Sequence, residues 1–289
     1  MIVKYLNLVK FSHTIFALPF AVVGFSLGLL ENGVLFDLPL FGKVILSMVF
    51  ARSAAMAFNR YLDRDIDKLN PRTASREIPS GILKANKVLY FTLINTFLFI
   101  AVTYFINPIC FYLSPIALLI ILGYSYTKRY TAYCHLILGI GLALAPIGAF
   151  LSVTGYFHYL PVLLGFSVFF WVSGFDIIYA LQDREFDISQ QLKSLPVVLG
   201  KEGALLASRL LHGGSILCIV LFSYQASQTY EEMSTVLYIG TALFLVMLIY
   251  QHFLVKADDL SRVGLAFFTF NGMASLTFGS MFILDTFFL

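Results

Sequence analysis

Charged side chains are scarce in this chain. Asp, Glu, Lys and Arg make up 12% of its 289 residues, about half their share in a soluble domain. That excludes a solvated surface of ordinary extent. Cysteine is scarce too. Cys110, Cys134 and Cys218 each lie inside an apolar run and form no Cys-x-x-Cys pair, so they read as core residues rather than thiolate ligands. The five histidines (His13, His135, His158, His212 and His252) are never three or four residues apart. That argues against a zinc or haem site built on one helix face. A net charge of +3 is too small to mark a nucleic-acid surface. The N-terminus has no charged leader with a small-residue cleavage site, so its first apolar run is read as a retained span.

What is present is apolar length. Hydrophobic residues make up 59% of the chain, with 30 Phe and 16 Tyr, and mean hydropathy is +0.86. This composition belongs to a polytopic membrane protein. A span needs about 20 apolar residues. Nine stretches qualify: about 13–33, 41–63, 86–106, 108–127, 133–154, 160–182, 204–226, 234–255 and 264–287. No stretch reads as a linker, so residues 1–289 are expected to form a single all-α membrane domain.

The basic residues test that count. With nine spans, 18 of the 19 Lys and Arg residues fall on the side of the N-terminus or just inside it, and only Lys43 falls on the other. The positive-inside rule makes the first side cytoplasmic. The two longest connections, about 64–85 and 183–203, lie there as well. Long loops in compact folds are commonly functional, and these two are read as lids or walls over a site.

Each long connection starts from an acidic motif. Asn59-Arg60-Tyr61-Leu62-Asp63-Arg64-Asp65-Ile66-Asp67 and Tyr179-Ala180-Leu181-Gln182-Asp183-Arg184-Glu185-Phe186-Asp187 repeat the spacing Asp-x-x-x-Asp 120 residues apart. On a helix, positions i and i+4 share a face about 6 Å apart, so each pair can offer two carboxylates to one hard cation. Mg²⁺ is usually held by one or two carboxylates plus substrate phosphates. Two such pairs facing each other would hold two Mg²⁺ ions, and the ions would hold a diphosphate. Four carboxylates balance two Mg²⁺, so the diphosphate's own charge still calls for cations. Arg72, Arg76, Lys128, Arg129 and Lys193 lie in the same cytoplasmic connections. Metal and cations together would stabilise a departing diphosphate.

Arg52 and Asp176 lie about two turns deeper, seven residues before Asn59 and Asp183 respectively. An ionised residue within a span is costly and functional by default. Arg52 could meet the carboxylate of an acidic substrate, and Asp176 could orient a phenol or line the pocket. Snorkelling is the competing account of Arg52. Tyr124 and Lys128, four residues apart at the end of the fourth span, could both face the site, although an aromatic belt with a positive flank would look similar.

These residues resemble a known family. Asn59-x-x-x-Asp63-x-x-x-Asp67, then Arg72-Thr73-x-x-Arg76 and Pro79-x-Gly81, then Tyr179-x-x-x-Asp183-x-x-x-Asp187 with Lys193-Ser194, are similar to the UbiA superfamily of intramembrane prenyltransferases. Asp176 and Tyr124-x-x-x-Lys128-Arg129 fit the same pattern. The resemblance spans about residues 10–205. It implies nine transmembrane helices around a central cavity under a cytoplasmic cap, with a lateral opening for an isoprenoid tail. Asn59, Asp63, Asp67, Asp183 and Asp187 would hold Mg²⁺. Asn59, Arg72, Arg76, Tyr124, Lys128, Arg129, Tyr179 and Lys193 would hold the diphosphate, and Arg52 and Asp176 the aromatic acceptor. An allylic polyprenyl diphosphate would ionise, and its cation would alkylate an electron-rich ring.

The pattern looks most like the 4-hydroxybenzoate polyprenyltransferase group of quinone biosynthesis. The segment Arg52–Arg60 is also similar to a branch acting on a dihydroxynaphthoate on a menaquinone route. Many members have Asn-Asp where this chain has Asn59-Arg60, which removes one acidic ligand. The expected partners are the two substrates and the bilayer of a bacterial inner membrane; nothing calls for a protein partner. A transporter with intramembrane acidic residues is the alternative from another class, but transport sites lie near the midplane and these clusters lie at one face.

Overall fold

Lipid offers no partner to a backbone N–H or C=O, so a chain this apolar must satisfy them within helices. The computed structural model describes residues 2–9 and 16–288, and among them there is no strand. Lys10, His13 and the start of the first expected span lie outside the described residues. In chain order the helices are α1 (Ile2–Leu8), α2 (Leu18–Asn32), α3 (Leu38–Leu62), α4 (Arg64–Leu69), α5 (Ala85–Tyr104), α6 (Pro108–Thr127), α7 (Cys134–Thr154) and α8 (Tyr159–Ala180). A 3₁₀ turn (Leu181–Asp183) leads to α9 (Arg184–Ser189), α10 (Leu195–Thr229) and α11 (Thr235–Leu254); a π-helical turn (Leu265–Phe270) then runs into α12 (Asn271–Phe287). Among the described residues eight helical segments are long and apolar enough to cross a membrane, and α2 is a shorter apolar helix of 15 residues. The protein is an integral membrane protein.

The chain divides into two compact units, residues 1–14 with 37–127 and residues 15–36 with 128–289. In the first, α3, α5 and α6 pack on one another and α1 rests on α3. The Asp37 side chain opens α3 by accepting from the Leu40 N–H at 3.0 Å, satisfying a donor that a helix start otherwise leaves open. Leu8, Ala57, Leu83 and Val88 form a small core closed by Tyr5, Tyr61, Ile78 and Phe91. Ile78 and Leu83 belong to the long 70–84 connection, so this core pins that loop to the ends of α3 and α5.

The second unit is built on close helix approaches. A Cβ on Gly24 would lie 2.1 Å from the Pro146 carbonyl oxygen, and one on Gly28 would lie 2.8 Å from the Val153 Cβ. Two glycines four apart therefore let α2 lie directly on α7, the small-xxx-small device of membrane helices. Ser208 Oγ donates to the Gly174 carbonyl at 2.7 Å and Ser167 Oγ to the Ser215 carbonyl at 3.0 Å, joining α8 to α10. Trp171, Phe20, Phe244 and Phe278 fill the middle. Near its start α10 is interrupted at Gly200, whose φ of 70° and ψ of −179° belong to a region essentially restricted to glycine.

The start of α11 is capped from another helix. Asp285 of α12, 1% exposed, accepts from the Ser234 N–H at 2.8 Å and the Leu237 N–H at 2.9 Å, with Ser234 Oγ as a third donor. Asp285→Ala is expected to lower stability by about 1–3 kcal/mol, since buried N–H groups lose their acceptor. Thermal unfolding of the purified variant in detergent checks this, and an unchanged midpoint would refute the capping role.

Candidate active site

The first acidic motif lies where α3 stops. Asp63 adopts φ −88°, ψ 4° between α3 and α4, in the sparsely populated bridge region where many active-site residues lie. The Asp67 N–H still donates to the Asp63 carbonyl at 2.7 Å, so the i, i+4 relation survives although the helix is broken. Asn59 Nδ2 donates to Asp63 Oδ2 at 3.1 Å. Asp67 is buried. Its Oδ1 lies 2.6 Å from Arg76 Nη1, with side chains 7% and 22% exposed respectively. Thr73 Oγ1 donates to the Asp67 carbonyl at 3.1 Å, and the Arg72 N–H donates to Asn70 Oδ1 at 2.9 Å. The loop therefore folds back on the second carboxylate of its own motif, leaving the Arg72 side chain exposed.

The second motif repeats this backbone. Asp183 has φ −98°, ψ 0° between the 3₁₀ turn and α9. Burial repeats as well: Asp63 and Asp183 are half-buried, Asp65 and Glu185 exposed, and Asp67 and Asp187 buried. Asp187 has its own cation, with Oδ1 2.9 Å from Lys128 Nζ, and Ser194 Oγ reaches its Oδ2 at 3.5 Å. Lys128 is fixed through its main chain, its carbonyl accepting from the Lys193 N–H at 2.8 Å. The expected helical face for each Asp-x-x-x-Asp is thus a broken one, with the first aspartate at the break and the second inside a short following helix.

The remaining expected residues fall as follows. Arg52 lies half-buried on α3 and Tyr124 half-buried in the last turn of α6. Arg129 is half-buried beside Lys128. Lys193 is exposed and its Nζ donates to the Tyr130 carbonyl at 3.1 Å, so it braces the 128–133 turn in this state. The Tyr179 ring stacks on Phe267 at 4.2 Å between centroids. Asp176 has a partner that the spacing of the histidines gave no sign of: His135 Nδ1 lies 2.7 Å from its Oδ2. His135 is buried, and its Nε2 has no hydrogen-bond partner. Its trace in the sequence is a lone histidine near the start of α7, which packs against α8.

A divalent cation suits these donors. Asp67 Oδ2 is buried with no hydrogen-bond partner, a costly condition for a carboxylate oxygen that a bound cation would relieve. Among the described residues no three His, Cys, Asp or Glu side chains converge as a ready metal cage. A hard cation that keeps waters and takes substrate oxygens needs only one or two protein carboxylates.

Fold and site together define an all-helical integral membrane protein in which two buried carboxylates, each paired to a cation, follow broken helix ends. The sequence pattern of the UbiA prenyltransferase family matches residues 17–273. The chain belongs to this family and is a prenyltransferase. The 4-hydroxybenzoate octaprenyltransferase of Tolumonas auensis is 28% identical over 232 residues, covering 80% of this chain and 79% of that protein. The apo structure of a UbiA homolog from Aeropyrum pernix is 31% identical, covers 94% of this chain and 98% of its own, and superposes with a TM-score of 0.82. A UbiA homolog from Archaeoglobus fulgidus, solved with DMAPP and Mg²⁺, shares the fold at 21% identity, with 99% and 100% coverage and a TM-score of 0.76.

Removing a cation should strand its carboxylate. Arg76→Met is expected to cost about 3 kcal/mol or more, the usual penalty for breaking one side of a buried pair. Arg76→Met combined with Asp67→Leu should recover much of that loss. Unfolding midpoints of the two variants decide the matter, and equal midpoints would refute the pairing.

Proposed function

We propose that the chain transfers a polyprenyl group from an allylic polyprenyl diphosphate to an aromatic acid of the 4-hydroxybenzoate type, in respiratory quinone biosynthesis. The observation that carries this reading is the buried carboxylate of Asp67 beside Arg76, with one oxygen left without a donor, and the matching pair of Asp187 with Lys128. Relatives named 4-hydroxybenzoate octaprenyltransferase support the acceptor class. The Archaeoglobus homolog's DMAPP and Mg²⁺ support the donor and metal.

In this reading Asn59, Asp63 and Asp67 would hold one Mg²⁺, and Asp183 and Asp187 would hold another. Bound Mg²⁺ supplies positive charge against the diphosphate leaving group. Arg76 and Lys128, already beside the second aspartates, bind diphosphate oxygens together with Arg72, Arg129, Lys193, Tyr124 and Tyr179. As the C–O bond of the donor breaks, its electron pair leaves with the diphosphate, and the fixed cations stabilise that charge without reorganising. Arg52 pairs with the acceptor carboxylate. Asp176, held by His135, faces the acceptor's hydroxyl and orients the ring for attack. The motifs lie toward the cytoplasm on the distribution of Lys and Arg.

Asp67→Asn and Asp187→Asn are each expected to lower prenyl transfer about a hundredfold or more, since several kcal/mol of charge stabilisation is lost. The test supplies purified protein with a polyprenyl diphosphate and either 4-hydroxybenzoate or a dihydroxynaphthoate, and identifies the product by mass. Transfer that survives chelation of divalent metal would sink the metal assignment. Product formed from the naphthoate alone would move the acceptor to the menaquinone route.

A further inference from the structure

The π-helical turn before α12 lies outside both acidic motifs, yet it is tied to α8 at two points. A π turn closes i→i+5 hydrogen bonds in place of i→i+4, is rare, and recurs at functional sites. Here it is held open by one side chain. Asn271, fully buried, donates through Nδ2 to the carbonyls of Ala266 at 3.0 Å and Phe267 at 3.2 Å, and lies 3.4 Å from Gln251 Oε1. Its Oδ1 accepts from Trp171 Nε1 of α8 at 2.7 Å. The amide therefore fixes the Phe267 carbonyl relative to Trp171.

The second tie is aromatic. Phe267 stacks on Tyr179, also of α8, with ring centroids 4.2 Å apart and planes 29° apart. The opposite requirement, a rigid Phe267, is met by edge contacts with Phe175 at 5.2 Å, Phe16 at 5.6 Å and Phe268 at 4.7 Å. Tyr179 is half-buried and stands four residues before Asp183. Its ring is thus flanked by a residue whose own position is set by the Asn271 clamp. An ordinary α-helical turn would carry Phe267 around the axis by a different angle and dissolve the stack.

We propose that Phe267, locked by Asn271, is a positioning residue that fixes the Tyr179 phenol for the prenyl diphosphate. The inference rests on the reading of Tyr179 as a diphosphate contact. Phe267 itself touches no substrate; it acts through the ring of Tyr179.

The test measures binding of geranyl diphosphate with Mg²⁺ by calorimetry on the purified full chain, with no acceptor present. The wild type is compared with Tyr179→Phe, Phe267→Leu and the double variant. Tyr179→Phe is expected to weaken binding. Phe267→Leu is expected to weaken it about two- to tenfold, the worth of one aromatic pair. The double variant is expected to bind no more weakly than Tyr179→Phe alone, because the ring has lost the group it was placing. A packing role without positioning would instead make the two losses multiply, which overturns the inference. So does an unchanged affinity in Phe267→Leu alongside a weakened Tyr179→Phe. Unchanged affinity in Tyr179→Phe overturns the diphosphate reading of Tyr179, and this inference with it. If Phe267→Leu does not fold, Phe267→Met enters the same comparison.

Discussion

A carboxylate held away from water costs several kcal/mol unless a cation or a set of hydrogen-bond donors meets it. In a chain with 12% charged residues that constraint decides where much of the polar structure goes. Asp67 meets Arg76, Asp187 meets Lys128, and Asp176 meets His135. Asp285 is satisfied by backbone and hydroxyl donors at the start of α11. The first three pairs lie in or beside the two acidic motifs, and the fourth caps a helix away from them. All obey the same rule, and none could lose one partner without exposing the other to that cost.

The loops follow from the pairs. Arg76 must return to Asp67, so residues 70–80 fold as a compact run of turns, with Thr73 on the Asp67 carbonyl and Ser80 Oγ on the Arg76 carbonyl. Lys128 must reach Asp187, so the turn after α6 is joined to the start of α10 through the Lys193 N–H. A cation so held is fixed in place by the fold itself. Electrostatic catalysis depends on that property, since charges already in position need no reorganisation as the bond breaks.

Much of this was legible from the sequence, for a physical reason. Apolar length reports spans directly, because the bilayer penalises polar residues within them. The spacing Asp63–Asp67 and Asp183–Asp187 marks where two long helices end, with the second aspartate of each pair buried. Other features have no such one-dimensional trace. The breaks at Asp63 and Asp183 leave the i, i+4 spacing intact, so the pattern cannot distinguish a broken helix from a continuous one. His135 reaches Asp176 across 41 positions, through helix packing rather than spacing. The π turn at 265–270 reads as ordinary apolar sequence, and only Asn271 hints that a backbone carbonyl there needs a donor. The first expected span is represented among the described residues by the 15 residues of α2.

The two motifs are alike in backbone, burial and cation partner, and they differ by one oxygen. Asp67 Oδ2 has no hydrogen-bond partner, whereas Asp187 contacts Lys128 with one oxygen and Ser194 with the other. The first motif therefore keeps one buried carboxylate oxygen without a donor, whereas both oxygens of the second are met. Two sites with the same sequence spacing thus need not be equivalent. The difference comes from the residues that the loops deliver to each carboxylate, and the spacing alone carries no information about it.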